Sequence, residues 1–351
     1  MVNPIRNLFK QSKRAWRIFI SPPKESREFA PLQTLPVMFE RVGSCTTAAQ
    51  PKQVAVSENQ RLVFVSCMEG RCVQVFDLKD LHQVKILHFE EPCVEVLVDG
   101  NLLFVTTTNF GRAIKKNKMY IIDASSLEIL GSADPEGNWC KIIAISPDGQ
   151  VLLVSNWHSH DISVISIADA RNPRLLQRIP CGESPRGLAF VDSGKALAAC
   201  FYSGTVAELT RDKGGRFKVS HETRTFRFPI YSGNPRDVVI DPSNGNIAWI
   251  SNMGRNMVQR YNVAKRSIEK SILVGREPNS IRFMKSDPRI LLVSCRASNG
   301  VVALNTETGE LIGKSALTGS FPTGLECTKE GFLVTGFDSN SLELYTPTKQ
   351  D

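Results

Sequence analysis

Between residues 51 and 345 the chain repeats one short pattern seven times, and that recurrence restricts its fold more than anything else in it. The clearest copy is Cys140 to Ser166, which reads as strand, turn, strand, polar loop, strand. Ile143 and Ile145 alternate, Ser146-Pro147-Asp148-Gly149 puts Pro where a turn wants φ fixed and Gly where it wants φ positive, and Val151 to Val154 is a β-branched and aliphatic run. Counted from the residue that opens each copy, the units begin at Pro51, Cys93, Cys140, Pro185, Pro235, Pro278 and Pro322, in steps of 42, 47, 45, 50, 43 and 44. A sheet of that size cannot bury both its faces alone and must stack against neighbours around an axis. The expected fold is therefore all-β, a seven-bladed β-propeller.

The first strands carry apolar residues two apart, as in Val54-Ala55-Val56 and Val238-Val239-Ile240. Second strands such as Leu62 to Ser66, Val151 to Ser155 and Ile290 to Ser294 end on a small polar residue in nearly every unit. The seventh unit runs out after its third strand, with only Thr346 to Asp351 left, so it lacks an outer strand. Leu35 to Val42 reads as a lone strand and is expected to fill that place, because a closed ring leaves no exposed seam. The propeller then spans 35–351.

Leu-Phe-Val-Thr at 103 to 106, Leu-Val-Ser-Asn at 153 to 156, Trp-Ile-Ser-Asn at 249 to 252 and Leu-Val-Ser-Cys at 292 to 295 resemble the repeat signature of YVTN-type β-propellers. Ser-Pro-Arg-Gly-Leu-Ala-Phe at 184 to 190 and Ser-Pro-Asp-Gly at 146 to 149 do so too. The resemblance covers roughly 51 to 345. It implies the propeller architecture, and related seven-bladed propellers include sugar lactonases. No catalytic residue is carried over, since no motif of that class matches.

The net charge is +8, of which five positive charges (Arg6, Lys10, Lys13, Arg14, Arg17) and no acid fall in residues 1 to 20, leaving +3 for the remainder. That distribution argues against a nucleic-acid binder. Asn3-Pro4 is a helix-start signal, and Ile5, Leu8, Phe9, Trp16, Phe19 and Ile20 share one helical face beside the basic one. Residues 1–20 thus read as a basic amphipathic helix, stopped by Ser21-Pro22-Pro23 and followed by a linker over 21–34. Such a helix suits an anionic membrane surface, a partner protein, the chain's own body or, being rich in basic residues and free of acids, a cleaved organellar presequence. No apolar run is long enough to span a bilayer and no secretory signal is evident, so the expected location is cytoplasmic, peripheral to a membrane, with an organelle as the alternative. Nine cysteines without a C-x-x-C read as reduced thiols, and Cys67 and Cys295 either as small buried residues or as thiols near the channel.

In a propeller the start of each first strand and the loop after each second strand emerge at one face near the axis, so functional residues are sought there. The residues just after the opening positions are Lys52, Val94, Lys141, Arg186, Arg236, Asn279 and Thr323, four of them basic. As a ring they would favour a carboxylate, a phosphate or an acidic side chain; otherwise each Arg pairs with a neighbour such as Glu183 or Asp237. Asn156 and Asn252 hold equivalent loop positions, with Arg255, Asn256, Arg296 and Asn299 nearby, and these either bind a ligand or brace their loops. His158, His160 and Asp161 offer divalent-metal ligands, though such a site needs a further ligand from elsewhere, and His82, His88 and His221 fall in outer segments. No nucleophile elbow, P-loop or dinucleotide fingerprint is present. The first expectation is a non-enzymatic scaffold presenting a basic channel mouth to a protein or a small anionic ligand. The alternatives are a lactonase-like hydrolase acting on a sugar-acid or phosphosugar lactone, and a structural subunit held through residues 1–20.

Overall fold

The computed structural model describes residues 28–108, 117–226 and 233–348. Within them the chain is almost wholly β, the helical content being three single 3-10 turns, Leu32–Thr34, Met253–Arg255 and Arg296–Ser298. No helix among the described residues is long and apolar enough to cross a membrane. The expected helix over 1–20 lies outside the described residues.

Seven strands begin at the seven residues that open the repeats: Pro51–Ser57, Cys93–Asp99, Cys140–Ile145, Pro185–Asp192, Pro235–Asp241, Pro278–Phe283 and Pro322–Cys327. Each touches the next, and Pro322–Cys327 touches Pro51–Ser57, so they encircle an axis. Each also starts an antiparallel meander running outward. The second strands are apolar runs because they are covered on both faces; every residue of Val151–Asn156 is buried. The fourth strands face solvent on one side and alternate accordingly, as Arg174–Pro180 does.

Five of the sheets are four-stranded and separate. The sixth has eight strands, in the order Pro278–Phe283, Ile290–Cys295, Gly300–Asn305, Glu310–Ser315, Val37–Thr46, Ser341–Pro347, Phe332–Gly336, Pro322–Cys327. The expectation of separate sheets is corrected here for the last two units, because Val37–Thr46 bonds to both. It runs antiparallel to Ser341–Pro347 and meets Glu310–Ser315 in parallel at Val37↔Lys314 and Phe39↔Ser315. The N-terminal strand does complete the last unit, but it is longer than Leu35 to Val42, since a register shift between Arg41 and Gly43 lets pairing continue to Thr46. Phe39 anchors it, edge-on to Phe332 with ring centroids 5.2 Å apart, and Phe332 stacks on Tyr345.

The expected linker over 21–34 is docked on the body where it is described. Ala30 donates its N–H to the Val274 carbonyl at 2.9 Å, Leu32 is buried beside Val274 and Cys295, and Lys314 Nζ donates to the Leu32 carbonyl at 2.6 Å.

The apolar core lies between sheets. Ala55 and Phe64 of the first unit pack with Val96 and Leu103 of the second, and Val54, Val63 and Val65 pack on their other side with Leu333 and Leu342 of the last. All nine cysteines are free thiols.

Candidate functional site at the channel mouth

In several units the small polar residue near the end of the second strand is a joint to the next unit. Ser251 Oγ accepts the N–H of Asp237 at 3.0 Å within its own unit and donates to the carbonyl of Asn279 in the next at 2.7 Å. Ser66 makes the same pair of bonds to Gln53 and Val94, and Ser155 to Ile142 and Arg186. Each joint holds a neighbour's second residue by its backbone, leaving that side chain to the axis region. All seven of those side chains are buried.

Four of them are linked around the ring. Arg186 Nη1 donates to the carbonyl of Arg236 at 3.3 Å, Arg236 Nε donates to Asn279 Oδ1, Asn279 Nδ2 donates to the carbonyl of Thr323 at 2.6 Å, and Thr323 Oγ1 donates to the carbonyl of Pro51 at 3.2 Å. Arg186 and Arg236 are 5% and 3% exposed. Their partners are neutral: two backbone or amide oxygens and, at 3.4 Å from Arg236 Nη1, the sulfur of Met253. Neither guanidinium has a described carboxylate within salt-bridge reach. Glu183 makes no ion pair with Arg186, and Asp237 is engaged elsewhere, accepting from Ile281 N–H and from Arg282 Nη1 at 3.0 Å. Pairing of each Arg with a sequence neighbour is therefore not what the fold uses.

The charges converge. Burial holds the Lys52 ammonium well below its ordinary value, helped by repulsion from Arg186, Arg236, Lys141 and Arg296. Lys141 is lowered the same way, by burial and then by Arg186 and Arg236. Burial also lowers Arg236 strongly and brings Arg296 down to about 10, with Glu277, 3.9 Å from Arg296 Nε, acting against it. Arg296 arrives from the loop after a second strand, and its Nε is buried without a hydrogen-bond partner. Below Val94, Glu95 accepts from Gln53 Nε2 at 3.0 Å and is raised to about 7, chiefly by burial.

Around these cations stands a collar that sequence reasoning did not anticipate. The residues after the seven second strands are Met68, Thr108, Trp157, Phe201, Met253, Arg296 and Phe337, and each donates its N–H to the carbonyl of the residue preceding the opening position of its own unit: Gln50, Pro92, Trp139, Ser184, Asn234, Glu277 and Phe321. Trp157 lies 5.1 Å from Phe201 and 5.4 Å from Tyr202 between ring centroids. Lys141 Nζ sits 4.1 Å from the Trp139 ring centroid, and the Arg296 guanidinium 3.8 Å from that of Phe321. The signal was present in the sequence, since five of the seven positions are apolar where a loop would be polar.

Comparison with known proteins agrees with this architecture. The family described as lactonase, 7-bladed β-propeller, matches residues 115–216. Antigen Lp49 of Leptospira interrogans serogroup Icterohaemorrhagiae serovar copenhageni (strain Fiocruz L1-130) is 25% identical over 323 residues, covering 85% of this chain and 68% of its own length. Over residues 115–216 the chain is similar to lactonase-type seven-bladed β-propellers, and its sheets are propeller-like.

Within this propeller the expected loop ligands act as braces. Asn156 is fully buried; its Nδ2 donates to Asp161 Oδ1 and Ser163 Oγ, both at 2.8 Å. Asn252 donates to Gln259 Oε1 at 2.9 Å and accepts from Asn234 N–H at 3.0 Å. Arg255 lies over the Phe226 ring, its guanidinium 4.9 Å from the centroid. Asn256 and Asn299 have left-handed backbone, and their Oδ1 atoms accept from Glu277 N–H and Phe321 N–H, each at 3.0 Å. Cys67 and Cys295 are fully buried, and burial pushes Cys295 up to about 12.

His160 occupies the same left-handed position one residue before a third strand, and its Nδ1 accepts from Ser184 N–H at 3.0 Å. It is a loop brace of the same kind as the asparagines. Asp161 spends Oδ1 on Asn156 and on Ser159 Oγ at 3.0 Å, and Oδ2 on an ion pair with Arg178. His158 stands edge-on to Trp139 at 4.3 Å, its ring lowered by burial and then by Lys141 and His160. These three side chains are not gathered as metal ligands; among the described residues the group close enough is Asp77, Asp80 and His82, on an outer turn.

Proposed function

We propose that this protein is a ring of seven four-stranded blades, the eight-stranded sheet counting as two, that binds a small organic anion at its channel mouth. The observation that carries the reading is the pair Arg186 and Arg236, almost wholly buried with only neutral partners. A guanidinium with no carboxylate in contact, stabilised only at longer range by Asp237, Glu95 and Glu277, is costly to bury, and an anion reaching both would offset that cost and gain charge-assisted hydrogen bonds. The test is calorimetric titration of the full chain with inorganic phosphate, citrate and gluconate, repeated with Arg186→Gln/Arg236→Met. Binding to at least one anion that the double variant loses is the expected result; no binding to any, or equal binding by both proteins, overturns the reading.

The second reading is hydrolysis of a lactone at the same mouth, favoured by Glu95. A buried carboxylate titrating near neutrality, one residue below the basic ring, has the properties of a base that takes a proton from water. A lactone panel assayed with Glu95→Gln tests it: turnover lost in the variant supports hydrolysis, and turnover absent from the wild type removes it.

The basic segment 1–20 is read as the docking element toward an anionic membrane surface. Asn256 Nδ2 donates to the carbonyl of Glu28 at 3.2 Å, so residue 28 is held beside the loop that carries Asn256. Cosedimentation with phosphatidylserine vesicles, lost on deleting 1–20, is the expected outcome.

A further inference from the structure

The basic mouth and its collar together define a narrower ligand than an anion alone. We infer that the bound anion carries its charged head on a flat or apolar body, as an aryl or alkyl carboxylate or phosphate does, in preference to a sugar acid.

The inference rests on the anion-binding reading and adds the collar to it. Trp139, Trp157, Phe201 and Tyr202 form a continuous aromatic wall over Lys141, with Trp139 and Trp157 centroids 6.5 Å apart and Phe201 and Tyr202 5.1 Å apart. Phe321 and Phe337, 6.2 Å apart, stand over Arg296 and Lys52 in the last unit. Trp157, Phe201 and Phe337 are buried and shape the wall, while Tyr202, 38% exposed, presents an open edge of it. Lys141, Arg296 and Lys52 lie over ring faces of these aromatics. Rings and cations thus stand side by side around Arg186 and Arg236, a juxtaposition that matches a ligand with an apolar body and an anionic head. The hydroxyls of a sugar acid would lose water against Trp, Phe and Met surfaces that return few hydrogen bonds, whereas an aryl group gains by being covered there.

The experiment is calorimetry and tryptophan fluorescence on the full chain with 2-naphthoate and phenyl phosphate against acetate, inorganic phosphate and gluconate. The expected result is binding of the aryl anions about tenfold or more tighter than their head groups alone, from the apolar area they cover, with quenching of tryptophan emission by the aryl ligands. In Tyr202→Ser, whose folding is checked by its melting curve, the aryl advantage shrinks. Gluconate binding as tightly as naphthoate overturns the inference in favour of sugar acids. Head groups binding as tightly as the aryl anions overturns it while leaving the anion site standing. No anion binding at all overturns both.

Discussion

Asn340 Oδ1 accepts the N–H of Gln50 at 2.9 Å, a bond between residues 290 positions apart that joins the last unit to the first. It is the same bond that Asn256 makes to Glu277, Asn299 to Phe321 and His160 to Ser184, between a left-handed residue before a third strand and the residue preceding the next unit's opening position. Replacing Asn340 by Gly keeps the positive φ accessible and deletes only the side chain. The expected loss is about 1 kcal/mol in urea unfolding, near the worth of one hydrogen bond. No change would mean that closure does not use this bond.

Closure by the N-terminal strand is the larger contribution. Phe39 is 1% exposed between Phe332 and the end of Glu310–Ser315, and Phe39→Ala should cost about 3–5 kcal/mol. Deleting 1–27 should leave the melting temperature unchanged, whereas deleting 1–46 removes the strand that two units share and should yield aggregated or much less stable protein. Equal melting of the two truncations would contradict this.

Arg236 sets binding against stability. In Arg236→Met a side chain of similar length replaces a buried charge whose hydrogen bonds go to neutral groups. Folding stability is expected to stay level or rise by about 1–3 kcal/mol, while affinity for the bound anion falls by about tenfold or more. Denaturant curves and calorimetry on one preparation measure both.

Glu95 gives stability a direction in pH. Its carboxyl titrates near 7 in the folded chain, above its ordinary 4.5, so between those values the folded state holds a proton that the unfolded state has released. Its contribution therefore falls as pH rises from about 4.5 to about 7, and the loss is complete above that window. Glu95→Gln keeps an acceptor for Gln53 and should flatten this slope, leaving the variant more stable than wild type at pH 8 by up to about 3 kcal/mol. Parallel urea curves at pH 5 and pH 8 test it. Anion affinity should weaken over the same window, because the ionised carboxylate adds negative charge beside the site.

Asp161 is structural. With Oδ1 shared between Asn156 and Ser159 and Oδ2 paired with Arg178, Asp161→Ala should lower stability by about 1–3 kcal/mol, and by the same amount with or without chelator. Protein purified without chelator should carry no stoichiometric metal dependent on His158 or His160, as measured by elemental analysis.

The seven strand starts were legible residue by residue, because turn chemistry and period-two burial are local and recur in one register: Pro51, Cys140 and Pro278 open their strands as the spacing predicts. Ser155 and Ser251 were legible as a pattern, though their work as joints between units was not, since each bonds a backbone atom about 28 to 31 residues further on. Which side chains would meet at the axis followed from the repeat; whether their charges would be neutralised did not. Asp237 follows Arg236 in the chain yet serves Arg282, and only the folded positions of three neighbouring strands decide that. His160 and Asp161 have the composition of a metal site and the geometry of a loop brace, because hydrogen-bond partners are chosen in space. The sequence by itself determined the period, the strands and the seam to be closed, all set by short-range sterics and burial. Tertiary structure alone decided the fusion of the last two sheets through Val37–Thr46, the aromatic collar and the absence of a carboxylate in contact with Arg186 or Arg236, because each depends on contacts between residues that the chain keeps dozens to hundreds of positions apart.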